Sequence, residues 1–219
     1  VITNRFNAER VREAFKKQGA YFLREDEIPR LEKTAFNLKE KVMRIDVIGK
    51  PAPVIAKMAG IDVPSETTLL IAELQDVGLH TPLSLEILAP VLAFYVADDF
   101  EKAIELCRRI NIHGGLGHTA SIYSNDEKKI EYFSAVINAG RILVNTPASQ
   151  GAIGGTYNSL VPSFMLGCGT SCSTTTTDNI SVRHLLHLHR IARRKKESLI
   201  ENFDDAELYD ETVLFTPSE

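Results

Sequence analysis

The run Val91-Leu92-Ala93-Phe94-Tyr95-Val96-Ala97, followed by Asp99 to Asn111, Ala120-Ser121-Ile122-Tyr123-Ser124, Asp126 to Ala139 and Arg141-Ile142-Leu143-Val144, decides the fold. The first, third and fifth pieces are short, apolar and rich in β-branched and aromatic residues, which is the pattern of buried strands. The second and fourth repeat their apolar residues at helical spacing among charges, and Asp98 or Asp99 supplies an N-cap for the first helix. Strands alternating with helices of this length predict an α/β fold built on a mainly parallel sheet with helices layered on both faces. In such sheets, sites gather in the loops at the carboxyl ends of strands.

The same alternation extends upstream. Asn7 to Lys17 reads as an amphipathic helix stopped by Gly19, and Asp26 to Lys41 as a second helix. Met43 to Ile48 alternates like a strand, Lys50 to Ala59 is helical up to Gly60, and Thr67 to Glu73 reads as a strand buried on both faces. Downstream, Gly, Ser and Thr dominate from Asn145 to Asn179, a long irregular stretch in which Val161 to Leu166 is expected to pack. Val182 to Ile191 turns apolar again and reads as a strand with Leu186 and Leu188 on one face and His187 and His189 on the other. From Glu197 the chain is an acidic, solvated tail with a weak strand at Thr212 to Phe215.

With 219 residues, 44% of them hydrophobic and 25% charged, the chain has the balance of a soluble globular domain. A net charge of only -4 gives no reason to expect nucleic acid or a membrane surface as partner, and no run approaches a membrane span, so the expected setting is the cytoplasm. Cys107, Cys168 and Cys172 are an odd number with no zinc spacing and read as reduced thiols. No metal site is expected, because His184, His187 and His189 have no carboxylate or cysteine beside them. The chain starts at Val1, without methionine and inside a strand-like run, the pattern expected of a fragment or processed product.

Four segments carry chemistry. In Glu86-Ile87-Leu88-Ala89-Pro90-Val91-Leu92 a carboxylate precedes a strand; its two oxygens can accept a pair of hydroxyl hydrogen bonds, or it can simply be a surface or capping group. Gly114-Gly115-Leu116-Gly117-His118-Thr119 places a histidine beside a glycine turn, suited to proton transfer near neutrality or to capping that turn. It is not a dinucleotide fingerprint, since it follows a helix and precedes a strand. Arg141-Ile142-Leu143-Val144-Asn145-Thr146-Pro147-Ala148-Ser149-Gln150-Gly151 continues to Gly155 with donors and acceptors suited to a polar acyl group and glycines that admit a bulky cofactor, or with a polar loop that binds nothing. Leu166-Gly167-Cys168-Gly169-Thr170 completes the set. Cys168 and Cys172 have no cation or helix N-terminus to lower their pKa and read as bystanders.

Together these segments resemble the aldehyde dehydrogenase superfamily, and the Gly-Leu-Gly-His-Thr turn and the Arg141 to Gly155 run resemble its coenzyme A-acylating branch, including the bifunctional aldehyde-alcohol dehydrogenases and the microcompartment propionaldehyde dehydrogenases. The resemblance covers roughly residues 1–196 and matches the catalytic domain, without the N-terminal cofactor domain. It implies that Glu86 binds the nicotinamide ribose, that Leu166 and Gly167 close the cofactor pocket, that His118 faces the catalytic centre, and that Asn145, Thr146, Ser149, Gln150 and Gly151 form the substrate-side loop. Glu86 and that loop are expected at neighbouring strand ends, facing one pocket.

The implied reaction uses NAD and coenzyme A. A cysteine thiolate attacks a small aldehyde, hydride passes to NAD, and coenzyme A carries off the acyl group. The nucleophilic cysteine is expected just upstream of Val1. The implied organisation is a catalytic-domain-like unit over 1–180, an oligomerisation strand over 181–196 that joins a second copy in a homodimer or larger homo-oligomer, and the tail over 197–219. The implied location is the cytoplasm or a bacterial microcompartment. The alternative is a non-catalytic assembly or interaction module with the same fold.

Overall fold

The computed structural model describes residues 1–37, 40 and 42–193. They fall into a unit over Val1–Ser181 and the opening stretch, 182–193, of a second unit. In the first unit a four-stranded parallel sheet is built from β1 (Ile2–Asn4), β2 (Ala20–Phe22), β5 (Leu69–Glu73) and β6 (Val91–Ala97), in the spatial order β1-β6-β5-β2. Between β2 and β5 in sequence lie α2 (Ile28–Ala35), the antiparallel pair β3 (Phe36–Asn37) and β4 (Val42–Met43), and α3 (Ala52–Met58). A second parallel pair, β7 (Gly117–Ile122) and β8 (Ala139–Val144), is connected through α5 (Glu127–Val136).

The period of two in β6 explains the layering. Phe94 and Tyr95 are adjacent, both essentially unexposed, and so point to opposite faces. Phe94 meets Phe15 of α1 (Ala8–Lys17) edge-on at 6.5 Å and Phe22 of β2 at 5.5 Å. Arg12 of α1 lies over the same ring, 5.5 Å from its centroid, and grips Glu73 through two hydrogen bonds of 3.1 and 2.7 Å. On the other face Tyr95 joins Leu31, Ala35, Ile55, Ala56, Leu70 and Ala72 in the main core, with Leu106 and Ile110 of α4 (Phe100–Gly114) packed against it. Helices thus cover both faces of the sheet. Asp99 caps α4, its carboxylate accepting from the Lys102 amide at 2.7 Å.

Several expectations shift. The helix expected over Asp26 to Lys41 stops at Ala35, because buried Phe36 adopts an extended backbone and pairs with Met43. Tertiary burial outweighs the helical preference of the residues that follow. The strand expected over Met43 to Ile48 is confined to β4 and then tightens into a 3-10 turn over Ile45–Val47 that buries Val47. Val161, Phe164 and Met165 are exposed, so little of the expected packing of Val161 to Leu166 occurs. The strand expected over Val182 to Ile191 is also not formed: residues 182–185 make a 3-10 turn and no strand follows among the described residues. A strand needs a ladder partner, and the described residues offer this segment none. Thr212 to Phe215 and the acidic tail lie outside the described residues.

A cavity of about 930 Å³ runs between β1 and β7, lined by residues 1–4 on one side and 121–124 on the other. No helix among the described residues is long and apolar enough to cross a membrane.

Leu70 is fully buried at the centre of the sheet, whereas Val54 on α3 is 43% exposed. Leu70→Ala is expected to lower unfolding free energy by about 3 kcal/mol, and Val54→Ala by under about 1 kcal/mol, in urea denaturation.

Candidate active site

The site is assembled where β7 begins. Glu86 lies in the connection before β6, exposed, and its carboxylate makes no ion pair or hydrogen bond among the described residues. A Cβ built on Gly114 would lie 4.0 Å from the Glu86 amide nitrogen, while one on Gly115, at φ +120°, would meet nothing within 4 Å. The glycine turn therefore runs past the Glu86 backbone and borders open space at Gly115. Three residues further on, His118 is exposed at the start of β7, with its Nδ1 2.9 Å from Thr119 Oγ1.

The segment Leu166 to Ile180 folds back on itself across this end of β7. Leu166 bridges Asn179, the Gly167 amide donates to Asp178 O at 2.9 Å, and the Gly169 amide donates to Thr176 O at 2.9 Å. Close backbone approach explains the glycines. A Cβ on Gly117, at φ +86°, would sit 2.0 Å from Cys168 O, and one on Gly167 2.2 Å from Thr176 O.

A residue that motif reading passed over holds these parts together. Arg141 in β8 is buried, 3% exposed, and among the described residues it forms no ion pair. Its guanidinium donates to Gly167 O at 2.6 Å, Thr177 O at 2.8 Å, His118 O at 3.0 Å, Thr119 Oγ1 at 3.2 Å and Asn179 Oδ1 at 3.4 Å. Asn179, also buried, donates in turn to Ala152 O and Val161 O at 2.9 and 2.8 Å. A lone arginine opening an otherwise apolar strand was the available signal.

The substrate-side run does not share this corner throughout. Asn145 lies past the far end of β8, at φ 52°, a conformation asparagine tolerates. Its side chain accepts from the Ser124 amide and donates to Ser124 O, each at 3.0 Å, closing the ends of β7 and β8. At about 3.3 Å per residue that is roughly 20 Å along the ribbon from His118, so Asn145 does not line the corner at the start of β7. Thr146 donates to Val144 O at 3.0 Å, and Ser149 and Gln150 are exposed on the short helix α6 (Ala148–Gly151). Gly151 packs on Leu143 and Thr146, where a Cβ would come within 2.8 Å of both. Only at Ala152 does the chain return to the Arg141–Asn179 network.

Two buried polar atoms lack partners among the described residues, His113 Nε2 and Ser121 Oγ. No group of three or more His, Cys, Asp or Glu residues there is arranged to hold a metal; the His187 and His189 rings stack at 4.5 Å. Among the thiols, burial pushes the Cys107 pKa up, and burial together with the neighbouring Cys172 does the same at Cys168.

Residues 80–172 match the sequence profile of the aldehyde dehydrogenase family. The aldehyde-alcohol dehydrogenase of Clostridium acetobutylicum is 38% identical over 194 residues, covering 87% of this chain and 22% of that protein. The chain belongs to the aldehyde dehydrogenase family. Within it, the acetylating succinate-semialdehyde dehydrogenase of Clostridium kluyveri is 30% identical over 94% of this chain and 45% of its own length. The crystal structure of an acetylating aldehyde dehydrogenase from Geobacillus thermoglucosidasius superposes with a TM-score of 0.83 at 40% identity, over 90% of this chain and 43% of that one. This aldehyde dehydrogenase chain thus spans less than half the length of each relative, and two of the three are named as acetylating enzymes, the branch that its Arg141 to Gly155 run resembles.

Replacing Gly117 by Ala forces a side chain into both a left-handed backbone and the Cys168 carbonyl. A loss of about 2 kcal/mol or more is expected in urea denaturation, with faster proteolysis between residues 166 and 180.

Proposed function

We propose that this chain forms the nicotinamide-ribose and acyl side of a site that oxidises a small aldehyde to an acyl-coenzyme A with NAD. The observation that carries this reading is that Glu86, exposed and with no partner for its carboxylate among the described residues, sits on a backbone next to the open Gly114–Gly115 turn. Its two free oxygens suit the paired hydroxyls of a ribose, and the missing side chains leave room for the ring. NAD, when bound, supplies the hydride acceptor. Glu86 then orients the ribose, Leu166 and Gly167 wall the nicotinamide end, and His118 faces the acyl oxygen. Arg141 keeps His118 and Gly167 in fixed relation.

Ser149, Gln150 and Thr146 are read as acyl- and coenzyme A-side polar groups, and Asn145 as the bracket that orders their loop. Cys107 and Cys168 are not read as the attacking thiolate. Raised pKa values at Cys107 and Cys168 support this, since both remain protonated thiols at neutral pH. Leu185, Leu186, Leu188 and Ile191 are exposed in the single chain, which supports pairing between copies through residues 182–193. The cytoplasm or a microcompartment is the proposed setting.

Saturation-transfer NMR of the full chain with NAD is expected to mark the nicotinamide-ribose protons, and Glu86→Ala to remove that transfer. Equal transfer in the variant would overturn the ribose assignment.

Iodoacetamide labelling followed by mass spectrometry tests the thiols. Because each pKa is raised, the thiolate forms only as pH climbs above the ordinary thiol range, so Cys107 and Cys168 are expected to alkylate slowly at neutral pH. Labelling of Cys168 at neutral pH as fast as free cysteine would overturn its reading as a bystander.

A further inference from the structure

His118 touches two groups that restrict its chemistry. Its Nδ1 is 2.9 Å from Thr119 Oγ1, and the same oxygen accepts from Arg141 Nε at 3.2 Å. A guanidinium can only donate, so one lone pair of the threonine oxygen is taken and its single hydroxyl proton must go elsewhere. Among the described residues the acceptor in reach is His118 Nδ1. Were Nδ1 to carry the ring proton instead, Thr119 Oγ1 would face two donors and its own hydroxyl proton would have no protein acceptor among the described residues. The ring is held further by its backbone, since His118 O accepts from Arg141 Nη2 at 3.0 Å.

We propose that Arg141 and Thr119 are positioning residues that fix His118 in the tautomer with its proton on Nε2. His118 therefore meets the reacting groups as a hydrogen-bond donor. In the chemistry proposed above, a donor suits an aldehyde or thioester oxygen that gains negative charge as the carbonyl is attacked. It does not suit a base that takes a proton through Nε2, because that nitrogen already holds one. The consequence for catalysis rests on the reading of this corner as the active site; the tautomer itself does not.

The test is long-range ¹H–¹⁵N NMR of the full chain, labelled in histidine and recorded well above the ordinary imidazole titration range so that the rings are neutral. His118 signals are assigned by their loss in His118→Gln. The wild type is expected to show a pyridine-type Nδ1 and a pyrrole-type Nε2, as a single tautomer rather than the averaged pair of a freely solvated ring. Thr119→Ser, which keeps the hydroxyl, is expected to preserve this signature, and Thr119→Val to move it toward the averaged values. A wild-type ring protonated on Nδ1 would refute the relay even if Thr119→Val does not fold. A signature that Thr119→Val leaves unchanged would refute it as well. Either failure leaves the NAD saturation-transfer comparison with Glu86→Ala unaffected, so the positioning of His118 and the proposed cofactor site can fall separately.

Discussion

A buried guanidinium without a carboxylate is the constraint around which this site is built. Arg141 carries a full positive charge in a place water barely reaches, and it is compensated by three backbone carbonyls and two side-chain oxygens rather than by an anion. Removing any of these acceptors leaves a charged donor unsatisfied, which costs more than an ordinary hydrogen bond contributes. The backbone at His118, Gly167 and Thr177 is therefore bound to one planar group whose donor directions are fixed. Lysine could not substitute, since a single ammonium cannot reach acceptors spread over the edges of a fork. The glycines at 117, 140 and 167 belong to the same solution, because they let three stretches of chain come close enough to share that side chain.

The sheet beneath performs a different task. Its order β1-β6-β5-β2 sets β6 between β1 and β5, and β6 is the strand whose neighbouring aromatics bind both helical layers to it. Phe94, Phe15, Phe22 and Arg12 form one face; Tyr95 with α2 and α3 forms the other. Glu86 precedes this strand, and α4 leads from its end back to the glycine turn. The backbone at Glu86 is thereby brought to the turn by two rigid elements.

Much of the frame was legible in the sequence. The alternation from Val91 to Val144 yields β6, α4, β7, α5 and β8, with ends displaced by a few residues, because apolar periodicity reports burial and burial is what forms these elements. It misled at Phe36, where a single buried aromatic turns the chain out of a helix, and at Leu186 and Leu188, where alternation describes a strand that has no partner among the described residues. Glu86, His118 and the Leu166–Gly167 segment were singled out through family resemblance, and the fold sets them near the start of β7; the roles given to them are the proposal above. Asn145 was legible as important, but its side chain is used within the fold. Arg141 escaped because its significance lies in carbonyls from distant residues, and a sequence does not show which carbonyls will converge.

The cavity between β1 and β7 has a consequence for handling this polypeptide. β1 ends one sheet and β7 borders a ribbon of only two strands, so each presents backbone donors and acceptors along one side with no ladder to satisfy them. Neither strand carries proline, and β7 has no lysine to repel an approaching neighbour. Open edges of this kind recruit whatever extended backbone is nearest, and in concentrated solution that is another molecule of the same kind. How well those two edges are shielded therefore bears on how the chain behaves when concentrated.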